Sequence, residues 1–481
     1  MRYRQKLTNF REFFYALLKS KPHPNRYILT RKKLIFAETC RIMEIVNGFS
    51  KLTKEQKINW LTQHYFQNNQ NIEELLKSYW NTDEKLQKLH DEFIENTISN
   101  FYLPLGIAPN FLINNKMYAV PMAIEESSVV AAASNAAKFW SKRGGFKANV
   151  ISTEKIGNVH FIFQGSTQKL KQFISHIQPL FRLRTADITR NMEKRGGGIL
   201  QIDLVDKTAE LDNYYQLHAT FDTKDSMGAN FINSCLEEFA NVLREESMKY
   251  DDFSEKEKNA LQVVMSILSN YVPNCIVRAE VSCDIAELAS KEIQNPREFA
   301  EQFVQAVQIA EIETYRAVTH NKGIMNGVDA VVLATGNDFR AIEAGVHAFA
   351  AKDEKYTSLS HAEIVDDTFR FWMDLPLALG TVGGLTNLHP MVKFAMELLG
   401  KPNAEELMQI IAVAGLAQNF AAIKSLTTTG IQQGHMKMHL MNILNQLEAT
   451  QEERNKVIQY FENQTVSHSA VVNFVENLRN R

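Results

Sequence analysis

The sequence predicts an α+β protein, and three observations carry that prediction. Within residues 152–270, strand-period and helix-period segments follow one another in the order β-α-β-β-α-β, the ferredoxin-like arrangement. Residues on both sides of that unit, 43–151 and 271–403, mix long helices with isolated strands, so the small unit reads as an insertion in a larger mixed α/β domain. Residues 404–481 read as all helix and form a C-terminal helical region.

The elements follow in order. Residues 43–100 read as helices, with Thr53 an N-cap and Gln56 three positions on, the pattern of a capping box. Residues 128–142 are rich in Ala and Ser and predict a closely packed central helix. Val159, Phe161 and Phe163 alternate with His160 and Ile162, a strand. Leu170, Phe173, Ile174, Ile177 and Phe181 recur at helix period, with Pro179 expected to kink or shorten the helix. Leu200, Ile202 and Leu204 predict a second strand facing inward, and Tyr215–Phe221 a third. A helix through Ile232, Leu236, Phe239 and Leu243 and a strand at Gln262–Leu268 complete the unit. Further strands are expected through Val277–Cys283 and Phe369–Leu379.

A chain of 481 residues can bury a large core in two or more domains. A net charge of −2 gives the whole molecule no electrostatic preference for nucleic acid or membrane. Cys40, Cys235, Cys275 and Cys283 lack metal-ligand spacing, so no metal is expected, and their number fits a reducing cytoplasm. No run approaches the roughly 20 apolar residues of a membrane span. Residues 1–42 carry eleven Lys and Arg against two Glu. They read either as a transit-like or surface-binding tail or as an extension preceding a true start at Met43.

Four constellations could carry chemistry. Glu125 and Glu126 precede the Ala-rich helix, as a charge pair answering its dipole or as a proton donor. Asp225-Ser226-Met227-Gly228-Ala229-Asn230 joins a strand to a helix, where Asp225 can cap the helix and the free N–H groups can hold phosphate. It is not a Rossmann glycine fingerprint. Thr319–Gly327 packs Lys322, Asn321, Asn326 and two glycines into nine residues, with Asp338 sixteen residues beyond the lysine. This pattern suggests a site at the end of a buried element, where a Lys–Asp pair could polarise a carbonyl oxygen or simply stabilise a glycine-rich turn. The fourth is His435, between Gly430 and Gly434 and Met436, as a structural or a mobile, ligand-facing histidine.

Together these segments, with Ser266–Asn270 and Gly415–Asn419, resemble class II 3-hydroxy-3-methylglutaryl-CoA (HMG-CoA) reductase, the soluble form found mostly in prokaryotes. The resemblance runs from about residue 45 to about residue 470. It implies reduction of HMG-CoA to mevalonate and CoA by two hydride transfers, in mevalonate and isoprenoid biosynthesis. By resemblance Lys322 stabilises the carbonyl oxygen, Asp338 hydrogen-bonds that lysine, Glu126 supplies a proton in the aldehyde step, and His435 protonates the departing CoA thiolate. Ser128, Arg316, Asn326 and Asn419 would hold the HMG carboxylate and hydroxyl. Asp225, Met227, Gly228, Asn230 and Asn270 would lie against the cofactor, making the small unit the cofactor domain and 404–481 a flap. A homodimer or higher even oligomer with shared active sites is implied.

The chain departs from the family at Ser127, where the family usually has Pro, which would leave the Glu126 loop less constrained. Cofactor choice rests on Ala186–Arg195, where Asp187 favours NADH while Arg190, Lys194 and Arg195 favour NADPH; the balance of charge points to NADPH and synthesis. Two other functions remain compatible: a catalytically silent CoA-ligand binder, and a degradative NAD-linked enzyme oxidising mevalonate.

Overall fold

A computed structural model describes residues 45–428, 440–461, 464 and 466–480. The basic segment 1–42, Met43, Cys40 and the segment 430–436 with His435 lie outside the described residues. The chain divides into two compact units, one ending at Tyr102 and one starting at Leu103.

The first unit contains helices α1 (Lys54–Tyr65), α2 (Gln70–Ser78) and α3 (Glu84–Asp91). The expected capping box starts α1: Thr53 accepts from the Gln56 amide, and the Gln56 side chain accepts from the Thr53 amide.

The second unit opens with a hairpin of β1 (Leu105–Ile113) and β2 (Lys116–Ala123), which the strand reading did not foresee. Asn114 and Asn115 form its turn at φ 47° and 66°, values that Asn tolerates and a two-residue hairpin turn requires. Helix α4 (Val129–Ser141) follows and then the short β3 (Lys147–Val150).

Next comes the small unit: β4 (Lys155–Phe163), α5 (Thr167–Arg184), α6 (Ala186–Glu193), β5 (Gly198–Asp206), β6 (Tyr214–Asp222), α7 (Ala229–Ser247), α8 (Glu255–Ala260) and β7 (Leu261–Leu268). Its four strands form one antiparallel sheet in the order β5-β6-β4-β7, so each strand reached through a helix lies one strand away from its predecessor. Alternate residues of β4 and β6 pack with α5 and α7 in a core of their own, around Phe161, Phe173, Leu217 and Phe239. Two local expectations fail. Helix α5 is not shortened at Pro179 but continues to Arg184. A register shift between Ile199 and Gln201 puts Ile199 inside and leaves Leu200 exposed, because an extra residue in one strand reverses the side-chain alternation.

The larger core is built on β8 (Ile276–Asp284), α9 (Pro296–Ile312), α10 (Thr314–Ala334), α11 (Phe339–Ala350), β9 (Ser360–Val365), β10 (Thr368–Pro376), α12 (Pro390–Leu398) and α13 (Ala404–Thr427). Strands pair antiparallel in the order β3-β8-β10-β9. The segment around Lys322 is not a turn at the end of an element, as its glycines suggested, but the middle of α10. Gly327 serves helix packing: a Cβ there would sit 2.5 Å from the Ala414 carbonyl oxygen of α13.

Helix α13 is long and apolar enough to cross a membrane, yet most of it is buried inside the protein, where Leu416, Ala417 and Phe420 meet Ala137 and Trp140 of α4. Residues 404–427 are therefore core rather than flap. The helix at 440–446 and the helices Gln451–Tyr460 and His468–Arg479 form a separate small core around Leu444, Val457 and Val471.

Candidate active site

Strand β2 ends at Ala123, and the loop after it carries Glu126 onto the face of α10. Glu126 Oε2 accepts from Lys322 Nζ at 2.8 Å and from Asn326 Nδ2 at 3.3 Å. Lys322 and Asn326 are one helical turn apart, so one carboxylate oxygen meets both. The group that closes onto the lysine is thus the glutamate, not a cap on the dipole of α4. Ser128, the residue before α4, makes no side-chain cap bond. The pair is open to solvent, with side-chain exposures of 62% for Lys322 and 34% for Glu126. The expectation of a buried lysine fails for a single chain.

The expected Lys322–Asp338 bond is also absent among the described residues. Twelve residues of helix, about 18 Å of rise, separate Lys322 from the end of α10. Asp338 instead caps α11, accepting from the Arg340 amide at 3.1 Å, the Ala341 amide at 3.3 Å and Arg340 Nε at 3.2 Å.

Before Lys322 on α10, His320 and Asn321 turn inward and Arg316 is half-buried. Asn321 is fully buried; it donates to the Thr357 carbonyl and accepts from the Leu359 amide, pinning the chain that enters β9. Its role is structural. Arg316, half-buried at the start of α10, has its guanidinium 3.5 Å from His320 Nδ1. His320 and Ser360 then connect it to Asn419 of α13. Farther along, burial and then Glu343 push the Asp329 carboxyl up to about 8.

The small unit contributes a second recess, lined by Lys155, Met227, Asn270, Ala341, Ile342 and Ala378. Of the expected cofactor residues, Met227 and Asn270 meet here. Gly228, at φ 87°, starts α7 without a side-chain cap, which leaves first-turn N–H groups for a ligand. Asn230 is exposed on that turn. Asp225 does not cap α7 as expected: its carboxylate accepts from the Ala404 amide at the start of α13, and its carbonyl accepts from the Thr381 amide. The loop is thereby fastened to the large core. Apolar walls with one ammonium and one carboxamide suit a flat, partly polar ring, so the residues present fit a nicotinamide.

Lys155 was not foreseen. Its ammonium bonds the Thr223 hydroxyl and, at 2.8 Å, the Ser226 carbonyl. Burial holds its pKa below the ordinary lysine value, against the opposing pull of Cys275, Asp222 and Asp225. A lysine at the head of an apolar β-strand was the available signal. Among the described residues the three thiols are buried and poor nucleophiles: burial pushes Cys235 and Cys283 up to about 12 and Cys275 up to about 11.

A family profile described as hydroxymethylglutaryl-coenzyme A reductase matches residues 53–440. The chain is 34% identical over 415 residues to the 3-hydroxy-3-methylglutaryl-coenzyme A reductase of Archaeoglobus fulgidus, covering 86% of this chain and 90% of that protein. It is 32% identical to a probable enzyme of the same name from Borreliella burgdorferi, over 84% of this chain and 89% of that one. Among solved structures, a Streptococcus pneumoniae HMG-CoA reductase superposes with a TM-score of 0.66 at 35% identity, covering 90% of this chain and 99% of that one. The class II enzyme of the same organism, bound to NADPH in open conformations, gives a TM-score of 0.64 at 36% identity, over 79% and 99%.

Proposed function

The chain belongs to the HMG-CoA reductase family, as a class II member and an oxidoreductase, and we propose how its residues divide the work. The observation that carries the reading is the 2.8 Å contact between Lys322 and Glu126, which joins two segments 196 residues apart. Lys322 places a positive charge where a thioester or aldehyde carbonyl oxygen gains negative charge as hydride arrives. Glu126, held against that ammonium, delivers a proton to the oxygen in the aldehyde step. Arg316, Asn326, Ser128 and Asn419 hold the HMG carboxylate and hydroxyl.

A nicotinamide supplies both hydrides. We assign it to the recess between Met227, Asn270 and the start of α7, within an inserted ferredoxin-like domain spanning 152–270. We assign NADPH as the preferred form: on α6 Arg190 is paired with Asp187, and beyond it Lys194 and Arg195, which outnumber the remaining Glu193, offer cations to a 2′-phosphate. The NADPH-bound relative supports that choice.

The exposure of Lys322 argues for a shared site. A lysine open to water stabilises an oxyanion weakly, because solvent screens its charge. Apolar Ile312, Tyr315 and Val318 stand exposed beside the start of the same helix. We propose a homodimer in which a second copy covers this face and presents its own Asp338 to Lys322, with residues 440–481 and His435 closing as a flap to protonate the departing thiolate.

Oxidation of reduced nicotinamide, followed by absorbance after adding HMG-CoA, tests the function. The expected result is substrate-dependent oxidation, faster with NADPH than with NADH. No change with either cofactor would mean a silent CoA-ligand binder; a preference for NADH would overturn the cofactor assignment.

A further inference from the structure

We propose that His320 and Ser360 are positioning residues for substrate, forming a directional hydrogen-bond chain that fixes Arg316 and Asn419 as donors toward one anionic group. The inference rests on the reading of Arg316 and Asn419 as substrate-holding residues and adds the pair that orients them.

The direction of the chain follows from what each group can do. A guanidinium only donates, so His320 Nδ1, 3.5 Å from Arg316 Nη2, is the accepting nitrogen. A neutral imidazole then carries its proton on Nε2, which donates to Ser360 Oγ at 2.6 Å. The Ser360 hydroxyl passes its own proton to Asn419 Oδ1 at 2.8 Å. The Asn419 carbonyl oxygen is thus engaged inside the protein, and the part of its amide left to meet a ligand is the NH2 group. Arginine and amide both present donors, the arrangement a carboxylate requires.

The chain works only with a neutral histidine, since a second proton would turn Nδ1 against Arg316. Burial first, then the charges of Arg316 and His361, hold His320 down to about 3. His361 is itself paired with Glu311 at 2.6 Å, and Arg316 is the cation on the histidine's own helix. His320, Ser360 and Asn419 are each at most 1% exposed, so water does not compete for these bonds. Packing alone calls for small apolar side chains at these positions, whereas His320, Ser360 and Asn419 are bonded each to the next. The three come from α10, the start of β9 and α13, so the chain also ties together the elements that surround the substrate.

The test compares Michaelis constants for HMG-CoA and for the nicotinamide in four variants, with thermal melting as the check on folding. Ser360→Ala frees the Asn419 amide to rotate and should raise the KM for HMG-CoA about tenfold, leaving that for the cofactor within about twofold. His320→Leu should act alike. His320→Gln, which keeps one acceptor and one donor, should stay within about threefold of wild type. Arg316→Lys, which loses the planar fork, should raise the HMG-CoA KM most. If Arg316→Lys raises it while folded Ser360→Ala and His320→Leu leave it unchanged, the orienting chain is overturned. Should Ser360→Ala not fold, the contrast between His320→Leu and His320→Gln decides the matter, and equal effects of those two, or equal rises in both Michaelis constants, would show a merely structural role. If Arg316→Lys itself has no effect, the substrate-site reading fails instead.

Discussion

Two lysines define the two halves of the site, and they are built oppositely. Lys322 stands on the outer face of α10 with 62% of its side chain exposed and one carboxylate partner. Lys155 is 4% exposed and bonded to a hydroxyl and a main-chain carbonyl of the loop beside it. In the proposed mechanism the first is a charge kept available for a substrate oxygen, to be dried by the second copy that covers it. The second is committed before any ligand arrives, fixing the loop that carries Met227. Reactivity asks for an unsaturated partner set; positioning asks for a saturated one.

The largest expected effect comes from removing the available charge. Lys322→Ala should lower turnover by at least about 10²–10³-fold while the melting temperature moves little, because the side chain is exposed; near-normal turnover would break the contrast. Glu126→Gln should lower turnover by about 10²-fold, seen most directly with mevaldehyde, the aldehyde-level intermediate, as substrate. The shared-site reading has its own check. Mixing inactive Lys322→Ala and Asp338→Ala proteins should restore about a quarter of wild-type activity, since half of the dimers are mixed and each has one intact site. Restoration of nothing would return Asp338 to its role as a helix cap.

The committed lysine should behave differently. Lys155→Met removes the ammonium's bonds to the Thr223 hydroxyl and the Ser226 carbonyl and leaves that carbonyl with the Thr223 hydroxyl alone, at a cost of about 1–3 kcal/mol. The cofactor KM should rise with kcat little changed, and the melting temperature should drop by a few degrees. A loss of turnover matching that of Lys322→Ala would erase the distinction. The smallest effect concerns Asp329. Its carboxyl titrates at about 8 in the folded chain against 3.8 as its ordinary value, so its contribution to stability is full below the lower value and lost as pH rises through the upper one. Asp329→Asn should flatten the decline in stability across that window, measured by denaturant titration at several pH values.

Much of the small sheet was legible because strand alternation and helix period are local properties: Val159, Phe161 and Phe163 are inward as their spacing says. Leu200 was misread because a bulge depends on the partner strand, which no local pattern reports. The glycines near Lys322 suggested a turn since glycine favours turns, but Gly327 is there for contact with α13, a residue 87 positions away. Glu126, Arg316, Asn326 and Asn419 could be named from motifs, whereas His320, Ser360 and Lys155 could not, because their roles consist of the partners they bond.

By itself the sequence determined which side chains are available for chemistry and the periodicity that makes each helix and strand, since both reside in residue identity and short-range spacing. Tertiary structure decided how they pair. It gave Lys322 to Glu126 instead of Asp338, because the rise of one helix keeps the lysine and the aspartate apart. It gave Asp225 to the start of α13 instead of α7, because a carboxylate bonds whichever free amide the packed chain brings within reach.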